Sequence, residues 1–386
     1  MISLKFYNTT PLLIFLVALS SFGGILHLLH FDIFLLLIFS IIISFFFSMF
    51  WWVKSGAKAT SFVLNIFLVV ITIPIPMLIG LREDYGYVRV VIDFFSILLP
   101  FLIFFLVVNS RVKVDLNVLA NWIVAFGLLS FFSVYFLKHS LGLKINLTIA
   151  HPLIALAVGW FLVNKKIMVS VVVLFASLML GKRSVFLFSI IVFFFIYMNY
   201  LSKNLSYERI ISVFLVLLTI FVSLMFSWDF LVSINPKLEK LELMFNSEVA
   251  DYRFSTGRLD EIKSLYQTYD FYDYFLGAGL GSSFEVYIPE FNIYKEENYL
   301  HFSPLTYHLK VGILGFIFVY YFLLKIAFCS GQKSFLVFIY IFFYVSFYSL
   351  TSFSFAVDMT FWILAGVFCS RRPRLKSQPQ ENLKDF

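Results

Sequence analysis

Apolar residues run through this chain in blocks about as long as a lipid bilayer is thick, separated by short polar breaks. An α-helix needs roughly 20 apolar residues to cross the hydrocarbon core. Blocks of that kind lie near 10–29, 32–53, 60–80, 88–109, 118–137, 148–163, 167–180, 184–199, 210–234, 303–327, 333–350 and 353–369. They predict an all-α, polytopic integral membrane protein with about twelve transmembrane helices. The sixth, seventh and eighth blocks are short, and two of them are candidates for a re-entrant pair. Residues 1–234 then hold helices one to nine, 303–369 hold helices ten to twelve, and 370–386 form a polar tail. Between them, 235–302 is the one extramembrane segment long enough to hold structure of its own. The apolar start runs from Pro11 to Leu29 straight into the next block, which argues against a cleaved leader.

The pattern changes inside the long loop. Ser255 or Thr256 can cap a helix, and Leu259, Ile262, Leu265, Tyr266, Tyr269 and Tyr272 follow at helical spacing. One amphipathic helix is expected there, lying along the membrane interface where Tyr is favoured, and ended by Gly277, Gly279 and Gly281.

Composition supports the lipid reading. Hydrophobic residues make up 61% of the chain and charged residues 13%, against about 25% charged in soluble domains. The 53 Phe residues fill cores and face lipid; their number indicates no cofactor. Cys329 and Cys369 have no metal-ligand or CxxC spacing, so neither a disulfide framework nor a metal site is expected.

Charge orients the spans. With the N-terminus inside, the inside segments carry Lys5, Lys54, Lys58, Arg111, Lys113, Lys165, Lys166, Lys203, Arg209, Lys325, Lys333 and the basic tail from Arg371. The short outside loops carry only Arg82, Arg89, Lys138, Lys144, Lys182 and Arg183. Both termini are therefore expected in the cytoplasm, and the long loop outside. The net charge of +7 then follows from topology and calls for no nucleic acid partner.

Candidate chemistry gathers on that outer side. Arg258 falls in the first turn of the expected loop helix, where free N–H groups favour an anion. Asp260 and Glu261 share that turn, so the plainer reading is an Arg paired with a carboxylate. The run Gly277-Ala-Gly279-Leu-Gly281 lacks the Lys-Ser/Thr of a P-loop and follows no strand of a βαβ unit. Close backbone approach explains it more simply than ligand contact. Lys182 and Arg183 break the charge bias between two short spans, either snorkelling to the interface or binding an anion. Ser303-Pro304 signals a helix start, which puts His301 at the outer mouth of the tenth span. There it either makes an ordinary interfacial hydrogen bond or takes a proton near neutral pH. His308 lies two turns further on with Lys310 nearby, where packing against a neighbour is the plainer reading. The spans otherwise read as nearly free of internal charge.

These residues together resemble the O-antigen polymerase and O-antigen ligase family of bacterial envelope enzymes. The resemblance rests on Arg258 before an amphipathic stretch, the glycine turn, His301, Leu305 four residues later, and Gly312 with Gly315. Arg183, in the segment GKRS, resembles the family's other Arg-bearing motif. The family's Asn after the His is Phe302 here, which tilts the resemblance towards a polymerase. Outside residues 181–188 and 254–316 only the layout of spans agrees.

The resemblance implies a glycosyltransferase in the bacterial inner membrane that needs neither metal nor cofactor. Its substrate would be a polyprenyl-pyrophosphate-linked oligosaccharide, with membrane lipids around it and a chain-length regulator protein as a candidate partner. Arg183 and Arg258 would neutralise the pyrophosphate leaving group, and His301 would orient or deprotonate the acceptor hydroxyl. Lys182, Gly279, Gly281 and His308 are weaker candidates for substrate contact. The alternatives are a ligase that transfers glycan to lipid A-core, a flippase or transporter for lipid-linked sugars, and a length-regulating scaffold.

Overall fold

A computed structural model describes residues 7–28, 33–55, 70–83, 85–140, 151–179, 183–203, 262, 264–265, 267, 269–288, 293–297, 303–331, 334–350 and 358–370. The described residues are mostly helical. Their helices are α1 (Thr10–Leu28), α2 (Ile33–Ser55), α3 (Pro74–Arg82), α4 (Tyr87–Val108), α5 (Leu116–Ser140), α6 (Leu153–Val163), α7 (Ile167–Met179) and α8 (Arg183–Lys203). They continue with α9 (Phe271–Leu276), α10 (Ser303–Gly331), α11 (Phe335–Ser346) and α12 (Met359–Cys369). Among the described residues, four helices are long and apolar enough to cross a membrane: the stretches Ile38–Ser55, Tyr87–Val108, Leu116–Ser133 and Ser303–Gly331. Others are shorter. At about 1.5 Å per residue, α6 and α7 reach only roughly 16 and 20 Å. They fold back on each other through a turn in which Lys165 takes a φ of 61° and Lys166 N–H bonds the Phe161 carbonyl. The ninth expected span, near 210–234, lies outside the described residues.

Two small β pairs accompany the helices. Strand β1 (Tyr7–Asn8) runs parallel to β2 (Val112–Lys113), and β3 (Phe284–Ile288) runs antiparallel to β4 (Ile293–Glu297) with Phe284 opposite Glu297. The second pair is a hairpin inside the long loop, where the sequence reading expected only a helix.

Contacts fix which helix ends lie together. Tyr7 pairs with Val112, and the Arg111 N–H donates to the Ser55 hydroxyl, so the start of α1 and the ends of α2 and α4 share one end of the bundle. Gly366 packs on Val107, and the Cys369 thiol reaches the Ile326 carbonyl, which adds the ends of α12 and α10. Gly159 meets Leu336 in the first turn of α11, so the α6–α7 turn points the same way. Lys54, Arg111, Lys113, Lys165 and Lys166 thus gather at one end, as the charge pattern grouped them. The starts of α4, α8, α10 and α12 lie at the other.

Aromatic rings fill the centre. Phe101, Phe104, Phe322 and Trp362 are fully buried, with the Phe101 and Trp362 ring centroids 5.0 Å apart. Phe188 lies against Tyr340, Tyr344 and Tyr348 at 5.4, 6.1 and 5.5 Å.

Candidate functional site

The glycine run does not stay outside the bundle. Leu280 is completely buried, and the backbone around it threads between α3, α4 and α10. Backbone entering an apolar interior must find partners for its N–H groups. Here Ala278 N–H donates to the Leu309 carbonyl at 2.8 Å, Leu280 N–H to the Pro76 carbonyl at 2.9 Å, and Gly281 N–H to Asp93 Oδ2 at 2.6 Å. Helix α10 is broken at Gly312 (φ 68°, ψ −178°), three residues after the carbonyl that Ala278 uses. Glycine is required for space as well as for conformation. A Cβ on Gly279 would lie 2.7 Å from the Gly80 nitrogen, and one on Gly80 only 1.9 Å from the Leu280 carbonyl oxygen. Close backbone approach is therefore what this run provides.

Two charges face the inserted loop from the helices. Lys310 Nζ lies 2.8 Å from Asp93 Oδ2, and both side chains are buried. Lys310 also donates to the Ser282 carbonyl. The spans are thus not free of internal charge, which corrects the sequence reading; the partners stand 217 positions apart, so only the fold pairs them. Asp93 is six residues into α4 and Lys310 seven into α10. That is roughly 9–10 Å along each helix.

One turn before Asp93, Arg89 makes a two-pronged contact with Glu296 of β4, at 2.6 and 3.3 Å. The Ser283 hydroxyl donates to the same carboxylate at 2.5 Å, and the Tyr269 hydroxyl donates to the Ser283 carbonyl at 3.2 Å. The Arg89 hydrogen bond, then that of Ser283, holds the Glu296 carboxyl below the usual carboxylate range. A carboxylate depressed in the folded state contributes stability above its unfolded range and loses it as pH falls through the lowered value. With side chains 45% and 49% exposed, this tether is weak and salt-sensitive. Acidification, or Glu296→Gln at neutral pH, should free β4 from α4. Amide exchange should quicken in 293–297 while the melting of the helices stays put; unchanged exchange in both conditions would remove the tether.

The expected single loop helix is interrupted. Residues 262, 264, 265 and 267 are helical, but Tyr269 and Asp270 are not. Asp270 instead opens α9 with a reciprocal capping box to Asp273, a stronger local signal than the apolar spacing that ran through it. Leu265 is buried with Ala278, Phe284, Val286 and Leu309, while Phe271 and Tyr272 of α9 are exposed.

Of the residues singled out in the sequence, Gly279 and Gly281 lie in the inserted run. His308 donates from Nε2 to the Tyr274 carbonyl at 2.8 Å and stacks on the Tyr274 ring, so it fastens α9 to α10. Arg183 is the first residue of α8, at the same end of the bundle. Lys182, Arg258 and His301 lie outside the described residues.

A second polar cluster at that end also escaped the sequence reading. Asp358 caps α12 through the Phe361 N–H at 3.2 Å and accepts from the Tyr344 hydroxyl at 2.7 Å and from Thr360. His151 Nε2 lies 3.4 Å from Thr360 Oγ1 and 3.9 Å from Asp358 Oδ1, while its Nδ1 accepts from Leu153 N–H. Sequence spacing gives no hint that residues 151 and 358 meet. Among the described residues, no three His, Cys, Asp or Glu side chains gather as metal ligands would. No protein-family model, curated protein or solved structure matches the chain.

Proposed function

We propose that the chain is a membrane-embedded glycosyltransferase of the O-antigen polymerase kind. It would move a growing glycan from polyprenyl pyrophosphate onto the non-reducing end of a lipid-linked repeat unit, on the outer side of the bacterial inner membrane. The observation that carries this reading is the insertion of 277–283 into the bundle at the end away from Lys54, Arg111 and Lys113. An enzyme whose donor lipid lies in the bilayer and whose sugars lie in water needs a loop site built into a helix bundle at one face. In this reading Arg183 and Arg258 neutralise the pyrophosphate and His301 serves the acceptor hydroxyl.

The buried Asp93–Lys310 pair gives a transporter of lipid-linked sugars its best support, because ionisable groups within spans often mark a substrate path. Both members are already bonded to the loop backbone, Asp93 to the Gly281 N–H and Lys310 to the Ser282 carbonyl. The enzyme reading therefore ranks first.

Deleting the gene separates the readings on a single gel of surface lipopolysaccharide. Loss of a polymerase should leave core carrying one repeat. Bare core with accumulated lipid-linked polymer would mean a ligase, and bare core without polymer a flippase. Restoring the gene with Arg183→Ala, Arg258→Ala or His301→Ala should leave single repeats although the protein inserts. Normal ladders from all three would remove the proposed mechanism.

A further inference from the structure

We infer that the buried Asp93–Lys310 pair is a positioning device, which fixes the Gly281–Ser282 backbone inside the bundle and so holds the inserted run in place for glycan transfer. The inference rests on the proposed function for the reaction served.

Asp93 Oδ2 accepts from both Gly281 N–H, at 2.6 Å, and Lys310 Nζ, at 2.8 Å, and Lys310 Nζ donates onward to the Ser282 carbonyl. Asp93, Lys310 and Ser282 are 3%, 1% and 0% exposed. A buried ion pair kept for stability alone has little advantage over apolar side chains of similar size, because desolvation offsets the attraction. These two charges do something apolar residues cannot: Asp93 accepts a hydrogen bond from the loop backbone and Lys310 donates one to it. The surroundings connect the pair to the rest of the described loop. Leu309, next to Lys310, accepts from Ala278 and shares a buried cluster with Leu265, Phe284 and Val286. Lys310 itself rides on α10, which follows the loop.

The test is the double variant Asp93→Leu/Lys310→Met in the full chain, reconstituted in lipid. It removes both charges together, so neither is left buried alone. The variant should elute as the wild type does, yet lose amide-exchange protection in 277–283 and lose chain extension by roughly 10²-fold, the usual cost of a misplacement of about 1 Å. A folded variant with wild-type protection and wild-type extension would overturn the inference, because the pair would then be a replaceable filler. Should the variant fail to fold, the wild type decides. Gly281 and Ser282 amides protected like those of α4 sustain the clamp, and exchange as fast as in 293–297 overturns it. A wild-type chain without any glycan transfer would sink the enzyme reading alone, since exchange reports the clamp independently.

Discussion

Lys310→Met on its own should destabilise the folded chain by about 3–5 kcal/mol, the range found when one partner of a buried ion pair is removed. Methionine matches the length and volume of lysine, so packing changes little. What remains is the Asp93 carboxylate, 3% exposed, which keeps the Gly281 N–H but loses its ammonium partner. The Ser282 carbonyl loses a charged donor at the same stroke. Against a total stability of about 5–15 kcal/mol for an ordinary domain, that is about a fifth or more. Thermal unfolding in detergent should therefore show a large fall in midpoint for Lys310→Met, largely reversed when Asp93→Leu is added. The reversal is the informative part. A single variant that melts with the wild type would mean that Asp93 finds another cation and that Lys310 contributes little to the fold.

Hydropathy showed the helical character of the chain because lipid-facing stripes and aromatic cores both register as apolar. The Lys and Arg pattern put Lys54, Arg111 and Lys113 on one side, and the structure brings their connections to one end of the bundle, with Arg111 N–H on Ser55 and Lys113 paired with Asn8. It failed where pairing across the chain decides. Asp93 is the one carboxylate in a block that is mostly apolar, and a window of twenty residues averages it away. Lys310 was visible only as a neighbour of His308. Nothing local says that the two meet, or that residue 151 reaches residue 358. The loop was legible in part. The glycines announced close backbone approach, but not the helices approached. Apolar spacing through Tyr269 to Tyr272 suggested one helix, and the Asp270–Asp273 capping box, a pattern of two acidic residues among tyrosines, ended one and began another. The hairpin of β3 and β4 has no two-residue turn signal, and its alternation is brief, so it passed for irregular loop.

Gly312→Ala should cost about 2–6 kcal/mol, from two causes that separate experimentally. The first is conformational. At φ 68° and ψ −178°, Gly312 occupies a region open essentially to glycine alone, and another residue held there is strained by about 1–3 kcal/mol. The second is steric. A Cβ would lie 2.3 Å from the Phe275 carbonyl oxygen, 2.5 Å from the Leu276 carbonyl carbon and 2.7 Å from the Gly277 nitrogen. All three are backbone atoms, so no side chain can swing aside, and overpacking of this kind costs about another 1–3 kcal/mol. Gly86 supplies the control: its φ is 88°, but a Cβ there meets nothing within 4 Å. Gly86→Ala should show the conformational cost only. Gly80→Ala isolates the steric one, because its backbone is helical while its Cβ would run into the Leu280 carbonyl. Thermal midpoints should fall most for Gly312→Ala, and amide exchange in 277–283 should quicken for Gly312→Ala and Gly80→Ala but not for Gly86→Ala. If Gly312→Ala behaved as Gly86→Ala does, contact between α9 and the break in α10 would contribute nothing to holding the loop. The inserted segment would then be held by Asp93, Lys310 and the Pro76 and Leu309 carbonyls.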